Sequence, residues 1–455
     1  RISTEAFYSH FETRIGIFTG SHIGNLTDLQ AAFKRDTPYL VRGFSYTINN
    51  PQQHVIHDLF KYKSTIRLSA NNSITGIYAF QKNHREEYDI KRNPNNKAPD
   101  FNYIITTQTL DVYLSHRKIH GWNHTVGLSG IFQRNSYEGR FFIPGFYNQG
   151  VGAYGISKYS IHKIDFEAGI RFDMKSLEAF YNKYNVLLNP KYLYARPSAT
   201  VSATYKPSTM FSHVLILSHT WRAPSANELY SDGLHLSVAA LERGDSSLKP
   251  ETSEHISYTF KVNTKRLYLE AEVYSKYILN FINLVPSFPA QLTVRGAFPV
   301  FKYTQTDALL KGINVSAKYQ VTKKLAGQLN ANMLWGTDLI NRNYLSQMPS
   351  ARFGGKAIYS VKKLFVNFNA AYTLRQYRYN LNSDYVDPPK SYALFGIDIG
   401  NTFTIKHHSI KINASVTNIF NASYRDYLNR FRYFTDEQGR NFTVRITIPV
   451  GEKIN

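Results

Sequence analysis

Residues 225–252 bring together side chains that can bind a polar ligand or a metal. Histidine is a common ligand of haem iron and of zinc, so His235 is the candidate metal ligand of this segment. Carboxylate, phenol and guanidinium groups can hydrogen-bond the rest of such a ligand. We therefore predict ligand contacts at His235, Tyr230, Glu228, Glu242, Arg243 and Asp245. The alternative is that His235 is one of 15 histidines on a solvated loop.

Two further histidines, His22 and His54, are predicted ligand contacts outside this segment. His54 and His57 are three residues apart at the start of a predicted strand, where such a pair points to opposite faces. We therefore expect no joint metal ligation by that pair. The pair His407-His408 is predicted to lie in a tight turn, remote from any ligand.

Catalytic patterns are weak in this sequence. Glu270 with Glu272, and Asp165 with Glu167, share a strand face at a spacing that could serve acid–base chemistry. With 54 Lys and Arg residues in the chain, ion pairing is the better interpretation. The sequence has no phosphate-binding glycine loop, serine nucleophile elbow or His-Glu-x-x-His zinc motif. We predict that the chain is not an enzyme and holds no tightly bound cofactor.

Composition narrows the class of protein. The chain has no cysteine, which excludes disulfides and thiolate metal sites. Its formal net charge is +22, but the Lys and Arg residues are scattered and form no nucleic-acid motif, so no nucleic-acid partner is predicted. Aromatic residues make up 15%. No apolar run approaches the roughly 20 residues that a membrane helix needs.

Apolar and polar residues alternate with a period of two along the whole chain, which is typical of β-strands. In 165–173, Phe166, Ala168, Ile170 and Phe172 share one face, and charged residues occupy the other. Residues 267–277, 410–417 and 442–448 show the same pattern. The predicted strands run roughly 11–16 residues, about the length that crosses a bilayer when tilted, whereas soluble strands average five or six.

Short and long connections alternate between these strands. Short ones fall at 71–72, 120–121, 207–208, 263–265, 322–324, 362–363 and 406–408. Long ones fall near 18–52, 91–101, 139–148, 181–192, 225–252, 287–299, 338–350, 378–390 and 421–439. Tight turns on one side and long loops on the other are typical of bacterial outer-membrane barrels. The sequence therefore predicts an all-β fold, a transmembrane antiparallel β-barrel of about 18 strands.

Four segments resemble the TonB-dependent outer-membrane receptors. The stretch 221–230 reads Trp-Arg-Ala-Pro-Ser-Ala-Asn-Glu-Leu-Tyr, and 244–253 reads Gly-Asp-Ser-Ser-Leu-Lys-Pro-Glu-Thr-Ser. They resemble the aromatic-Arg-Ala-Pro end of an outward strand and the Leu-Lys-Pro-Glu start of the next. The segments 303–312 and 417–424 resemble later motifs of the same family, in the same order.

The resemblance implies a receptor that imports a scarce nutrient by active transport across the bacterial outer membrane. The transported ligand would be a metal chelate, haem or a metal ion such as zinc. Its partners would be outer-membrane lipid and lipopolysaccharide, the small-molecule ligand, and an inner-membrane energy-coupling complex that acts through a plug. Family barrels have 22 strands and a plug, so residues 1–455 are interpreted as one barrel domain, without a plug and with about 18 of 22 strands. A monomer is expected.

Rival functions remain open at this point. A passive diffusion porin of 18 strands needs no plug and is the main alternative. A second alternative is a membrane-embedded protease or lipase, but those barrels are normally smaller and no catalytic constellation stands out. A surface adhesin is a third and weaker alternative, which the long loops alone do not exclude.

Overall fold

The computed structural model describes residues 1–91, 95–119, 121–183, 185–405 and 408–449. Strands dominate this part of the chain. They are β1 Ile2–Gly16, β2 Gln52–Arg67, β3 Asn72–Tyr88, β4 Phe101–Ile119, β5 Trp122–Gly139, β6 Gly145–Ile161, β7 Ile164–Lys183, β8 Val186–Leu188, β9 Lys191–Tyr205, β10 Phe211–Arg222, β11 Asp232–His235, β12 Ala240–Arg243, β13 Glu251–Asn263, β14 Leu267–Thr293, β15 Gly296–Gln320, β16 Leu325–Asp338, β17 Asn343–Tyr344, β18 Arg352–Val361, β19 Leu364–Thr373, β20 Tyr392–Ile405, β21 His408–Thr417 and β22 Asn441–Thr447.

Helices are few and short. They are α1 Leu26–Phe33, α2 Ala226–Tyr230 and the 3-10 turns Thr19–Ser21, Leu236–Val238 and Arg430–Tyr433. Among the described residues, none of these helices has the length and apolar character to cross a membrane. All of them lie in the connections between long strands, where the sequence pattern predicted no helix.

The strands form one sheet of 22. Four of them, β8, β11, β12 and β17, are two to four residues long and lie in connections. The 18 long strands pair antiparallel in chain order, which confirms the predicted strand count and the all-β barrel fold. Within the described residues, β1 pairs with β2 alone and β22 with β21 alone.

The two faces of the sheet differ in chemistry. On β7, Phe166, Ile170 and Phe172 are 44%, 71% and 50% exposed, whereas Asp173 on the opposite face is 9% exposed. The same alternation continues through neighbouring strands, so the exposed apolar face is the outer, lipid-facing face of the barrel. The opposite face lines the lumen.

Carboxylates of the lumen face are ion-paired. Asp165 lies 2.8 Å from Lys206, and Glu167 lies 2.7 Å from Lys158. Glu270 lies 3.1 Å from Lys261. These contacts agree with the interpretation of the paired carboxylates as ion-pair partners rather than as an acid–base pair.

One predicted long loop, at 287–299, is wrong. There β14 and β15 continue as a hairpin, with strands of 27 and 25 residues and only Val294 and Arg295 between them. Register shifts at 278/281 and 287/291 bend the hairpin. The predicted turns at His120-Gly121 and His407-His408 include residues that lie outside the described part of the chain, His120 and His407.

Candidate functional site

The long connections pack against one another at one end of the sheet. A buried apolar cluster joins residues from the β1–β2 connection, the β14–β15 hairpin and the β21–β22 connection. Its fully buried members include Leu29, Phe298, Phe301 and Tyr433, each at 1% exposure or less. Because these connections join strands that are far apart in the sheet, their packing forms a cap over the lumen. We call this assembly the loop cap.

The tip of the β14–β15 hairpin is tied into the loop cap. Gly296 has φ +126°, and the backbone oxygen of Ile23 would lie 2.4 Å from any Cβ at this position. Ala297 donates its N–H to that same oxygen at 2.7 Å. Glycine is therefore required where the hairpin meets the first long connection.

Charged groups reinforce this contact. Arg295 at the hairpin tip forms ion pairs with Asp89 and, at 3.0 Å, with Asp100. Lys91 lies 3.1 Å from Asp100, and Arg140 lies 3.4 Å from it. The two carboxylates are 2% and 4% exposed, so they depend on these cations to be buried at all.

His22 borders this ionic cluster, with its Nδ1 3.8 Å from Asp89. Its Nε2 is buried and has no hydrogen-bond partner among the described residues. Burial lowers the pKa of His22; the charge of Asp89 opposes this, and Arg295 and Arg140 add to the lowering. The neutral ring is therefore the form that the loop cap accommodates.

We expect the loop cap to loosen in mild acid. As the pH falls below about 6.5, an exposed histidine takes up a proton before buried His22 does, so the opened cap gains stability relative to the closed one. The closed loop cap therefore has its full stability above about pH 6.5. It loses this stability as the pH falls from there to the lowered pKa of His22. Hydrogen exchange of residues 18–34, corrected for intrinsic rates, should show this, and His22→Gln should remove it. An equal pH response in His22→Gln would contradict the assignment to His22.

A second ionic contact joins two other connections. Arg432, 3% exposed, pairs with Asp384 and donates to the carbonyl oxygen of Val386 at 3.1 Å. The hydroxyl of Tyr433 also donates to Asp384. Burial and the charge of Asp384 raise the pKa of Tyr433 far above its ordinary value, so this hydroxyl keeps its proton. These contacts fix the β21–β22 connection in the centre of the loop cap.

A cavity of about 640 Å³ lies directly under the loop cap. Odd-numbered residues of β3 and β4, including Arg85, Glu87 and Tyr103, form its wall. The roof comes from the connections and includes Phe142, His235, Glu242, Arg430 and Phe431. Its volume is typical of a site for a small organic ligand. Aromatic rings and ionic groups both line it, so it can hold a ligand with apolar and polar parts.

His235 and Glu242 face each other in this cavity across the β11–β12 hairpin. The Nδ1 of His235 lies 3.1 Å from a carboxylate oxygen of Glu242. Arg430 donates to the same oxygen at 2.5 Å, and its guanidinium lies 4.5 Å from the ring centre of Phe301. The ring of Phe142 lies 4.8 Å from that of His235.

The charge state of Glu242 follows from these contacts. Burial to 5% exposure would raise its pKa, but the hydrogen bond from His235 and the charge of Arg430 outweigh burial and lower the pKa. Glu242 is therefore ionised at neutral pH and accepts a hydrogen bond from His235. If neutral His235 donates from Nδ1, its Nε2 carries the free lone pair.

Two of the predicted contacts, Glu228 and Tyr230, hold the segment's own fold. Glu228 closes the capping box of α2 with Ser225 and lies 2.9 Å from Arg222 at the end of β10. Tyr230 is 9% exposed and hydrogen-bonds the hydroxyl of Tyr192. Burial raises the pKa of Tyr230, and the hydrogen bond to Tyr192 adds to this effect.

Arg243 and Asp245 also contact protein groups. Arg243 donates to Gln291 of the β14–β15 hairpin at 2.7 Å. Asp245 accepts from the N–H and hydroxyl of Ser247 at 2.9 and 2.6 Å, which lowers its pKa. Neither residue borders the cavity under the loop cap.

His54 lies away from this cavity. It is an even-numbered residue of β2 and shares the outer face with Phe60 and Ile66. Its Nδ1 lies 3.0 Å from Glu86, and its Nε2 lies 2.8 Å from Glu12. The structure therefore brings together His235 and Glu242 of the predicted set, and it places His22 in the loop cap and His54 on the outer wall.

Several cavity residues were not predicted. Arg430 and Phe431 lie in the β21–β22 connection, nearly 200 residues from His235 in sequence. Arg85 and Glu87 could have been found, because they follow the odd-numbered, lumen-facing positions of a predicted strand. Within the described ranges, no group of three or more His, Asp or Glu side chains is arranged to hold a metal ion. A metal ion bound in this part of the chain would therefore need further ligands from a non-protein group.

Comparison with known proteins agrees with this architecture. The family described as TonB dependent receptor-like, beta-barrel, matches residues 5–419. The chain belongs to this family. Receptors of this kind are outer-membrane proteins of Gram-negative bacteria, which confirms the predicted location. They are transporters rather than enzymes. No curated protein matches the chain at a significant level.

Solved structures share the fold of this TonB-dependent receptor barrel at low identity. The copper transporter OprC is 16% identical with a TM-score of 0.71, over 87% of this chain and 66% of that one. The FrpB iron transporter of Neisseria meningitidis (F5-1 variant) is 13% identical with a TM-score of 0.69, over 97% and 70%. The ferric-catecholate import receptor Fiu of E. coli K12 is 13% identical with a TM-score of 0.67, over 97% and 71%. The chain spans slightly less than two thirds of OprC.

Proposed function

We propose that this barrel belongs to an outer-membrane receptor that binds a scarce nutrient under its loop cap for TonB-type energised import. The nutrient would be a metal chelate, haem or a metal ion. The observation that carries the proposal is the 640 Å³ cavity, which is closed above by packed connections and lined by aromatic and ionic side chains. A passive porin needs an open lumen mouth, so the packed loop cap favours the receptor over the porin.

His235 is the proposed metal ligand in the cavity. Its Nδ1 faces ionised Glu242, and its Nε2 has no hydrogen-bond partner among the described residues. A carboxylate that accepts from one ring nitrogen orients a histidine and makes its other nitrogen a better metal ligand. Arg430 fixes the carboxylate in turn. His235 would supply one ligand to a metal whose other ligands come from the chelator or porphyrin.

The similar structures support a metal-containing ligand without identifying it. Their printed names are a copper transporter, an iron transporter and a ferric-catecholate import receptor. The remaining predicted contacts have a different proposed role. Glu228, Tyr230 and Asp245 hold residues 225–252 in place, and Arg243 ties them to the β14–β15 hairpin.

Binding titrations with haem, Zn²⁺ and ferric chelates test this proposal. For the cognate ligand, Glu242→Gln should lose about ten- to a hundredfold in affinity, because it removes the charge that orients His235, and His235→Ala should lose more, because it removes the ligand itself. His219→Ala is a matched control, since His219 lies on the outer face of β10 and is 40% exposed. Unchanged affinity of His235→Ala for every ligand would remove His235 from the site.

Import would draw energy from an inner-membrane complex, with the receptor acting as a monomer. This part of the proposal rests on family membership. Uptake that continues at an equal rate after the inner-membrane proton gradient is collapsed would contradict it and would favour passive diffusion.

A further inference from the structure

Arg222, the last residue of β10, joins two carboxylates that belong to different elements. Its Nε and Nη2 donate to the two oxygens of Glu251 at 2.6 and 2.8 Å, which is a bidentate pair. Its Nη1 donates to Glu228 at 2.9 Å. Both carboxylates are largely buried, so the guanidinium offsets the cost of burying them. One arginine therefore ties the end of β10 to α2 and to the start of β13.

Glu228 transmits this contact to α2. Its Oε2 also accepts from the N–H and the hydroxyl of Ser225 at 2.7 and 2.8 Å, which closes the capping box of the helix. The next residue back, Asn227, donates to the hydroxyl of Tyr303 at 3.1 Å, and both of these residues border the cavity under the loop cap. Arg222 therefore helps to place a helix that contributes to the cavity.

The base of the β11–β12 hairpin packs on the end of α2. Ser231, which follows the helix, accepts from the N–H of Gly244 at 2.6 Å. A Cβ on Gly244 would lie 2.5 Å from the backbone nitrogen of Tyr230, so the two backbones are in direct contact. The two strands that continue from this contact carry His235 and Glu242. A shift of α2 would therefore move this pair relative to the wall of the cavity.

Glu251 connects Arg222 to the β14–β15 hairpin. Its Oε1 accepts from the N–H of Ile282 at 2.6 Å, just after the register shift at 278/281. The same hairpin pairs with β12, where Glu242 lies opposite Phe301 in a parallel register. The two carboxylates bound by Arg222 therefore act on the position of Glu242 from two sides, one through α2 and one through the hairpin.

We infer that Arg222 is a positioning residue of the nutrient site, and that it acts through Glu228 and Glu251 on His235 and Glu242. Arg222 does not border the cavity and would not touch the nutrient. The inference rests on the proposed function, because it concerns the same site. A lysine at this position can meet one carboxylate as a point charge, but only the fork of a guanidinium meets both.

The test is a double-mutant cycle between Arg222 and His235, with affinity measured for haem, Zn²⁺ and ferric chelates. Arg222→Gln should weaken binding about tenfold, the lower end of the loss for an outer-shell partner, and Arg222→Lys should lose less. In the His235→Ala background, Arg222→Gln should cost no more than about twofold further, because the residue that it positions is gone. Arg196→Gln is the matched control, since Arg196 faces the lumen on the neighbouring strand β9 and donates to Thr252 rather than to a carboxylate.

Hydrogen exchange of residues 226–245 separates failure of this inference from failure of the proposed function. Arg222→Gln should raise exchange there without any nutrient, and Arg196→Gln should not. Unchanged exchange in Arg222→Gln would overturn the inference. Equal losses of affinity from Arg222→Gln in the wild-type and His235→Ala backgrounds would also overturn it, because they would show a general weakening of the fold. Unchanged affinity in His235→Ala alone, with raised exchange in Arg222→Gln, would overturn the proposed metal ligand and not the hold of Arg222 on this segment.

Discussion

Arg432→Leu is expected to release the β21–β22 connection from the loop cap. The loop cap should lose about 3–5 kcal/mol of stability, the range found when one partner of a buried ion pair is removed. Leucine keeps most of the apolar volume but leaves Asp384 without its cation. The carbonyl oxygens of Val386 and Asp387 also lose their donor. The guanidinium further contacts the rings of Tyr427 and Tyr433 at 5.0 and 4.8 Å.

Limited proteolysis and hydrogen exchange measure this release directly. Protection of residues 418–440 should fall in Arg432→Leu, while the strands of the wall keep theirs. Arg440→Leu is the matched control, because Arg440 is exposed in the same connection. Wild-type protection in Arg432→Leu would mean that the ion pair does not hold the connection.

Phe298→Ala is expected to destabilise the loop cap by about 3–5 kcal/mol. Phe298 is 0% exposed in the apolar cluster, between Ala297 and Val300, which are also buried. Removing the ring leaves a void that the hairpin cannot close easily, because Ala297 is hydrogen-bonded to Ile23. The hairpin tip and the first connection should therefore loosen together.

Phe44→Ala provides the control for this change. The same atoms are removed at a side chain that is 79% exposed, so the effect should stay within about 0.5 kcal/mol. The measurement is urea-dependent exchange of residues 287–299 and 18–34. Loosening of one segment without the other would contradict the joint packing of hairpin and connection.

The wall of the barrel was predictable from sequence because each strand carries its own signal. Along residues 164–175 of β7, outward apolar residues alternate with inward charges at every position except Gly169, and lipid on one side and water on the other impose that pattern locally. Strand number and face follow from it, and so do the connection lengths apart from the one predicted at 287–299.

The loop cap was less predictable because its contacts are non-local. The hairpin at 287–299 contains Pro289 and Pro299, which are typical of loops, yet it pairs as strands because Phe298 and Phe301 are buried by distant connections. Tertiary packing overrides the local preference there.

The residues of the cavity under the loop cap were also only partly predictable from sequence. Ligand-capable residues in 225–252 were found by type, and His235 and Glu242 meet in the cavity. Residue type alone cannot separate them from Glu228 and Tyr230, which complete a helix cap and a buried contact instead. Arg430 carried no sequence signal, since it reaches Glu242 only through the folded β21–β22 connection.

A nitroxide scan of β3 tests the assignment of the two faces, on which the proposed nutrient site depends. Labels at 74, 78 and 80 should be accessible to oxygen and shielded from a water-soluble nickel chelate, and labels at 75, 77 and 79 should show the reverse. Accessibility that does not alternate between even and odd positions would contradict the account, because the nutrient cavity, bordered by odd-numbered residues of β3, could not then lie on the lumen side of a membrane wall.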